Sequence, residues 1–166
     1  AEKRDTIPIA RVPDVPPPSR ETLDASIRKA ADFLLKEQNR DGSWGNHTRT
    51  KGLNVLCPYP EGPRSFRTAS TSLCVIGLLT SPLKEDPAVK ASLDKALQYL
   101  LTTLPTLKRG DTRTVLGVWG HAYGLSALSR AARNLPADAP LYAELKKVAG
   151  LQVKALDQMA DVQGGW

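Results

Sequence analysis

Two histidines and two cysteines are the side chains best suited to hold a metal ion or to act as a nucleophile. They are His47, His121, Cys57 and Cys74. These residues are scattered, with no CxxC pair and no third thiol. The acidic residues Asp111, Asp157 and Asp161 are isolated as well, which is typical of helix caps and surface charges. We therefore predict no metal site and no cofactor.

The two cysteines allow two interpretations. A disulfide between Cys57 and Cys74 would join the loop before Thr68 to the helix after it, and it would require an oxidising compartment. The alternative is a small buried thiol at Cys74 and a separate loop thiol at Cys57.

His121 is the most interesting single candidate for ligand binding. It follows Trp119 and Gly120 at the start of an apolar segment, and Tyr123 comes directly after that start. A helix N-terminus disfavours the imidazolium, which leaves a neutral ring that donates or accepts a hydrogen bond. The candidate ligand-binding residues are His121, Tyr123, Trp119 and His47. The alternative for His121 is a structural role as a cap or a hydrogen-bonded core residue.

The helices that must position these residues are indicated by apolar spacing and by Pro and Gly stops. We predict helices over residues 25–38, 68–80, 87–104, 121–135 and 140–158, and an all-α fold. Ser19 or Thr22 can cap the first helix, and Asp86 followed by Pro87 can start the third. The segment 68–80 is uncharged, which predicts a helix buried on all sides. Residues 46–66 form a long loop, a candidate lid or binding loop.

The segment 25–45 joins an amphipathic helix to a turn. Its apolar stripe consists of Ile27, Ala30, Ala31, Leu34 and Leu35. Asn39, Asp41 and Gly42 favour the end of a helix and a tight turn. Trp44 is a large ring that needs a neighbouring element to cover it.

The series Gln38, Gly42, Trp44 after a helix resembles the QW motif of the terpenoid-cyclase and protein-prenyltransferase superfamily. The resemblance implies an α/α toroid of stacked helix pairs, in which the Gln caps a helix end and the Trp packs against a neighbouring turn. A weaker echo ends the chain at Gly164, Gly165 and Trp166, where Ala160 stands in the position of the Gln.

The resemblance assigns three outer helices (25–38, 87–104 and 140–158) and two inner helices (68–80 and 121–135). The expected architecture is an incomplete or open toroid over residues 20–166, preceded by a Pro-rich extended arm over residues 1–19. A closed toroid would need further helices, so we expect either continuation beyond Trp166 or association of the exposed apolar edge with another copy.

The catalytic signatures of this superfamily are absent from the sequence. There is no DxDD acid motif, no Asp, Cys and His set in the order of the zinc prenyltransferases, and no Gly-Cys-Gly-Glu-Gln thioester segment. We therefore expect a non-catalytic repeat domain that binds an apolar, isoprenoid-like ligand or a protein partner on the face of the inner helices. The alternative is the N-terminal half of a cyclase or prenyltransferase-like enzyme whose catalytic residues lie beyond Trp166.

Charge and hydropathy limit the other function classes. The net charge of +6 is spread along the chain without a block of like charges, so we predict no nucleic-acid partner. No apolar run is long enough for a membrane span. The first residue, Ala1, fits either a recombinant product or a mature exported protein whose signal peptide has been removed, and the sequence leaves both compartments open.

Overall fold

The computed structural model describes residues 16–46, 61–108 and 117–160. In these ranges the chain forms five α-helices, one short 3-10 turn and no strand. They are α1 (Arg20–Glu37), α2 (Glu61–Thr80), α3 (Pro87–Thr103), the 3-10 turn Leu104–Thr106, α4 (Gly117–Arg133) and α5 (Pro140–Met159). The prediction of an all-α fold is therefore confirmed. Most of the predicted N-terminal arm, residues 1–15, lies outside the described ranges.

Local caps explain where three of the helices begin. The Ser19 hydroxyl accepts a hydrogen bond from the Thr22 N–H at 3.2 Å, which caps α1. The Asp86 carboxylate accepts from the Ala88 N–H at 2.9 Å, and α3 begins at the following proline. Helix α5 also begins at a proline, Pro140. Proline lacks a backbone N–H, and in the first turn of a helix that N–H would have no intrahelical partner anyway.

Three helices begin earlier than the predicted ranges. Helix α1 starts at Arg20, directly after the candidate cap Ser19, rather than at residue 25. Helix α2 starts at Glu61 rather than at residue 68, and α4 starts at Gly117 rather than at residue 121. Pro63 does not prevent the early start of α2, because it lies in the first turn where no intrahelical N–H bond is required. Residues 61–66 are thus helical and do not belong to the predicted loop, while residues 47–60 lie outside the described ranges.

Helices α2 and α4 lie side by side and form what we call the α2–α4 layer, while α3 packs against α2 and α5 packs against α4. The Ser65 hydroxyl accepts from the Gly120 N–H at 3.2 Å and lies 3.3 Å from the Gly117 carbonyl, so the starts of α2 and α4 are adjacent and the two helices run parallel. The core is formed mainly by Leu and Val side chains, including Val75, Val89, Leu100, Leu128 and Leu145.

Helix α2 is not buried on all sides, contrary to the prediction. Phe66, Ser70, Leu73 and Gly77 are exposed and recur at helical spacing along one stripe. The stripe is exposed because no helix within the described ranges covers that side of the α2–α4 layer. Small polar residues elsewhere on α2, including Thr68 and Ser72, satisfy their hydroxyls with carbonyls one turn earlier and can be buried.

Helix α1 is the least buried of the five. Of its predicted apolar stripe only Ala31 is fully buried, Leu34 and Leu35 are half-buried against the core, and Ala30 is exposed. The turn that follows α1 also attaches it to α2 and α3. No helix in the described part of the chain has the length and hydropathy needed to cross a lipid bilayer.

Candidate ligand-binding face

The turn after α1 is fixed by the side chain of Gln38. Its Nε2 donates to the Gly42 carbonyl at 3.0 Å and to the Ser92 carbonyl of α3 at 2.9 Å. Its Oε1 accepts from the Ser92 hydroxyl at 2.9 Å. One amide therefore closes the turn and ties it to α3.

Trp44 is the second anchor of this turn, and its side chain is only 4% exposed. The indole N–H donates to the Leu34 carbonyl at 2.8 Å, and the backbone N–H donates to the Thr71 hydroxyl of α2 at 2.9 Å. Trp44 therefore joins the end of α1, through its ring, to the middle of α2, through its backbone. Its burial agrees with the expectation that the ring is covered.

Asp41 stabilises the same turn through hydrogen bonds to Ser43 and Arg67. It accepts from the Ser43 N–H and hydroxyl at 3.2 and 2.7 Å, and from Arg67 Nη2 through both carboxylate oxygens at 3.0 and 2.9 Å. Partial burial alone would raise the pKa of Asp41. The hydrogen bonds from Ser43 and the charge of Arg67 more than offset this, so the pKa is lowered from its ordinary value.

Exposed apolar side chains collect on the open side of the α2–α4 layer. We call this surface the aromatic face, and its large members are Phe66, Leu73, Trp119 and Tyr123. The Phe66 and Trp119 rings meet edge to face with centroids 5.1 Å apart, which joins the two helices at the surface. Trp119 is 51% exposed and Tyr123 is 41% exposed, although both belong to a described helix.

A close approach of α2 and α4 brings these rings together. A Cβ at Gly120 would lie 2.6 Å from the Ser65 hydroxyl and 2.6 Å from a Leu107 methyl group. Glycine therefore permits the hydrogen bond between its N–H and Ser65. Trp119, the preceding residue, is consequently held at the seam between the helices.

His121 lies apart from the aromatic face. It is 2% exposed, and its Nδ1 is 2.6 Å from Oε1 of Gln152 on α5. Since Gln152 Nε2 donates to the Val148 carbonyl at 3.1 Å, its Oε1 accepts from a protonated Nδ1. The other nitrogen, Nε2, is buried without a hydrogen-bond partner in the described ranges. This geometry supplies the structural role that the sequence analysis kept as an alternative.

An open groove of about 640 Å³ lies between α1, the turn after it and α2. Its lining includes Phe33, which is 62% exposed, and Trp44. Ser70 and Cys74 of α2 also line it. Ser70 also belongs to the exposed stripe of α2, so the groove and the aromatic face adjoin along this helix.

The remaining predicted site residues divide between described and undescribed parts of the chain. Cys74 is half-buried, and burial raises the pKa of its thiol to about 11, which disfavours the reactive thiolate. Its predicted disulfide partner Cys57 lies outside the described ranges, so the pairing stays a prediction. The same holds for His47 and for the terminal series Gly164, Gly165 and Trp166. Among the described residues no group of three or more His, Cys, Asp or Glu side chains could hold a metal ion.

The structure thus brings together two of the four predicted ligand-binding residues, Trp119 and Tyr123. It adds Phe66 and Leu73, which the sequence analysis placed in a loop and in a buried helix. Their separation by seven residues was the available signal, because residues seven apart lie on one helix face.

Comparison with known proteins does not assign the chain to a family. No family model matches it, and no solved structure matches it at a significant level. The relationship to the terpenoid-cyclase and prenyltransferase superfamily therefore remains a proposal.

Proposed function

We propose that this chain is an α/α-toroid repeat domain of the squalene-cyclase and prenyltransferase type that binds an apolar, isoprenoid-like ligand on the aromatic face. In this assignment α2 and α4 are inner helices, and α1, α3 and α5 are outer helices. The packing of α2 beside α4 and the Gln38–Trp44 turn support the assignment. The ligand-binding role rests on one observation, the exposure of four large apolar side chains on the α2–α4 layer.

The aromatic face has the composition expected of a binding surface. Leu73 is 48% exposed and Trp119 is 51% exposed, and the face joins such residues across two adjacent helices. Covering the exposed half of one such side chain with a ligand would contribute about 1 kcal/mol to the free energy of binding. Four of them would give about 4 kcal/mol, which corresponds to a dissociation constant of about 1 mM before any further contact.

The architecture suits an elongated apolar ligand. The Phe66–Trp119 contact bridges α2 and α4 near their starts, so the aromatic face extends from these two rings along both helices. Ser70 and Gly77 are small, so the exposed stripe of α2 projects less at these positions than at its larger residues. A flexible hydrocarbon chain can follow such a surface, since its contacts need no fixed direction.

The test compares two leucine variants that are matched in exposure. Leu73→Ala removes apolar surface from the aromatic face, whereas Leu151→Ala removes it from α5, where that leucine is 41% exposed. We expect Leu73→Ala to weaken the binding of farnesol about fivefold, the effect of about 1 kcal/mol, and Leu151→Ala to leave it unchanged. Binding is measured by isothermal titration calorimetry.

Circular dichroism of both variants must match that of the parent protein. Equal affinities for farnesol in the two variants would show that the ligand does not lie on the aromatic face. The absence of farnesol binding to the parent protein would contradict the proposed function itself.

A further inference from the structure

We infer that the aromatic face selects long-chain carboxylates, which are single-chain amphiphiles with a negatively charged head group, and orients them along α4. This inference rests on the proposed function and adds the chemical class of the ligand. It follows from two exposed arginines that continue the same stripe of α4 beyond the aromatic rings.

The rings and the arginines lie on one side of α4. Trp119, Tyr123 and Arg130 are four and seven residues apart in turn, so all three project from one stripe of a helix with about 3.6 residues per turn. Arg133 follows in the last turn of the helix. Both arginines are exposed.

Neither arginine side chain forms an ion pair or a hydrogen bond with the residues that the structure describes. Within the described ranges, the ion pairs of the protein involve other basic residues. An exposed guanidinium offers paired N–H donors that match a carboxylate. Arg130 and Arg133 are therefore available to the head group of a ligand whose chain contacts the rings.

The distance between the aromatic rings and the arginines fits a chain-like molecule. Trp119 and Arg130 are separated by about 16 Å along the helix axis, at about 1.5 Å per residue. Ser126 is the exposed residue between Tyr123 and Arg130, so the intervening surface is small and uncharged. A saturated chain of medium length spans this distance in an extended form.

The charge at this end of α4 attracts a carboxylate. The C-terminus of a helix carries a partial negative charge equivalent to about half an elementary charge. This partial charge offsets only part of the positive charge of Arg130 and Arg133, which lie in the last turn of α4. The net charge at this end therefore stays positive.

The test uses laurate and dodecanol, which share chain length and differ in the charged head. Binding is measured by calorimetry at pH 8, below the concentrations at which either compound aggregates. The double variant Arg130→Gln with Arg133→Gln is compared with Lys147→Gln combined with Lys154→Gln. The control variant loses the same two positive charges from exposed positions on α5.

We expect the parent protein to bind laurate at least about tenfold more tightly than dodecanol, through charge-assisted hydrogen bonds. The arginine variant should lose this preference and retain its affinity for dodecanol, while the lysine variant should behave as the parent protein does. Equal binding of laurate and dodecanol by the parent, with farnesol still bound, would overturn the inference and leave the proposed function intact.

Three other results would also be decisive. An undiminished preference for laurate in the arginine variant would overturn the inference. Binding to anionic phospholipid vesicles without binding of monomeric laurate would overturn it in favour of a membrane surface. Failure of laurate, dodecanol and farnesol alike would refute both the inference and the proposed function.

Discussion

Gly42 offers a sharp test of how the turn after α1 is attached. Its φ is +86°, a region that L-residues avoid at a cost of about 1–2 kcal/mol. A Cβ at this position would lie 2.3 Å from the Lys95 carbonyl oxygen and 2.5 Å from its carbon, both in the backbone of α3. Moving the backbone of a helix costs more free energy than moving a turn, so Gly42→Ala must shift the turn away from α3.

The shift would also disturb the hydrogen bonds of Gln38 to Gly42 and to Ser92, each contributing about 1 kcal/mol. Together with the backbone term, we expect Gly42→Ala to lower the free energy of unfolding by about 3 kcal/mol. Urea denaturation followed by circular dichroism measures this change.

Two other glycines provide controls, because alanine at these positions should change the free energy of unfolding in the opposite direction. A Cβ at Gly77 of α2 or at Gly150 of α5 would have no atom within 4 Å. Alanine is the better helix former by about 1 kcal/mol, so Gly77→Ala and Gly150→Ala should stabilise the protein slightly. A loss of less than about 1 kcal/mol in Gly42→Ala would refute the contact between the turn and α3.

Three further predictions concern buried or paired groups. Gln152→Leu leaves Nδ1 of His121 unpaired and should lower the free energy of unfolding by about 1–3 kcal/mol in urea titrations; no loss would contradict the pairing. Asp41 has a lowered folded-state pKa, so its carboxylate stabilises the fold above the unfolded value of about 3.9 and this contribution is lost as the pH falls through the folded value. Asp41→Asn should therefore be less stable than the parent at pH 7, by about 1 kcal/mol at most because the side chain is half exposed, and the difference should shrink below about pH 4; a constant difference would contradict the assignment. In a Cys57→Ser background, iodoacetamide at pH 8 should alkylate native Cys74 about a hundredfold more slowly than the urea-unfolded chain, since the folded thiol has a pKa of about 11; equal rates would show that it is not protected.

The features that sequence predicts well in this protein are local ones. Ser19, Asp86 and Pro140 mark helix starts because capping and the missing N–H of proline act within one turn. The Gln38–Trp44 turn was also predictable in outline, because its residue types restrict the backbone. Its partners on α2 and α3 were not named, since they lie far away in the chain.

The features that sequence does not predict depend on which helices meet. The uncharged pattern of α2 indicated burial on all sides, but hydropathy does not tell whether a neighbouring element covers each side. Leu73 is exposed for this reason. Likewise, the sequence left ligand binding and a structural role open for His121, because its contact with Gln152 arises only from the packing of α4 on α5.

The measurement that tests the proposed function most directly is photocrosslinking with a farnesol analogue that carries a diazirine group. Digestion and mass spectrometry then locate the modified residues. The account predicts adducts on peptides that contain Phe66, Leu73, Trp119 or Tyr123, and their suppression by an excess of unmodified farnesol. Competable adducts confined to α1 or α5 would contradict binding at the aromatic face.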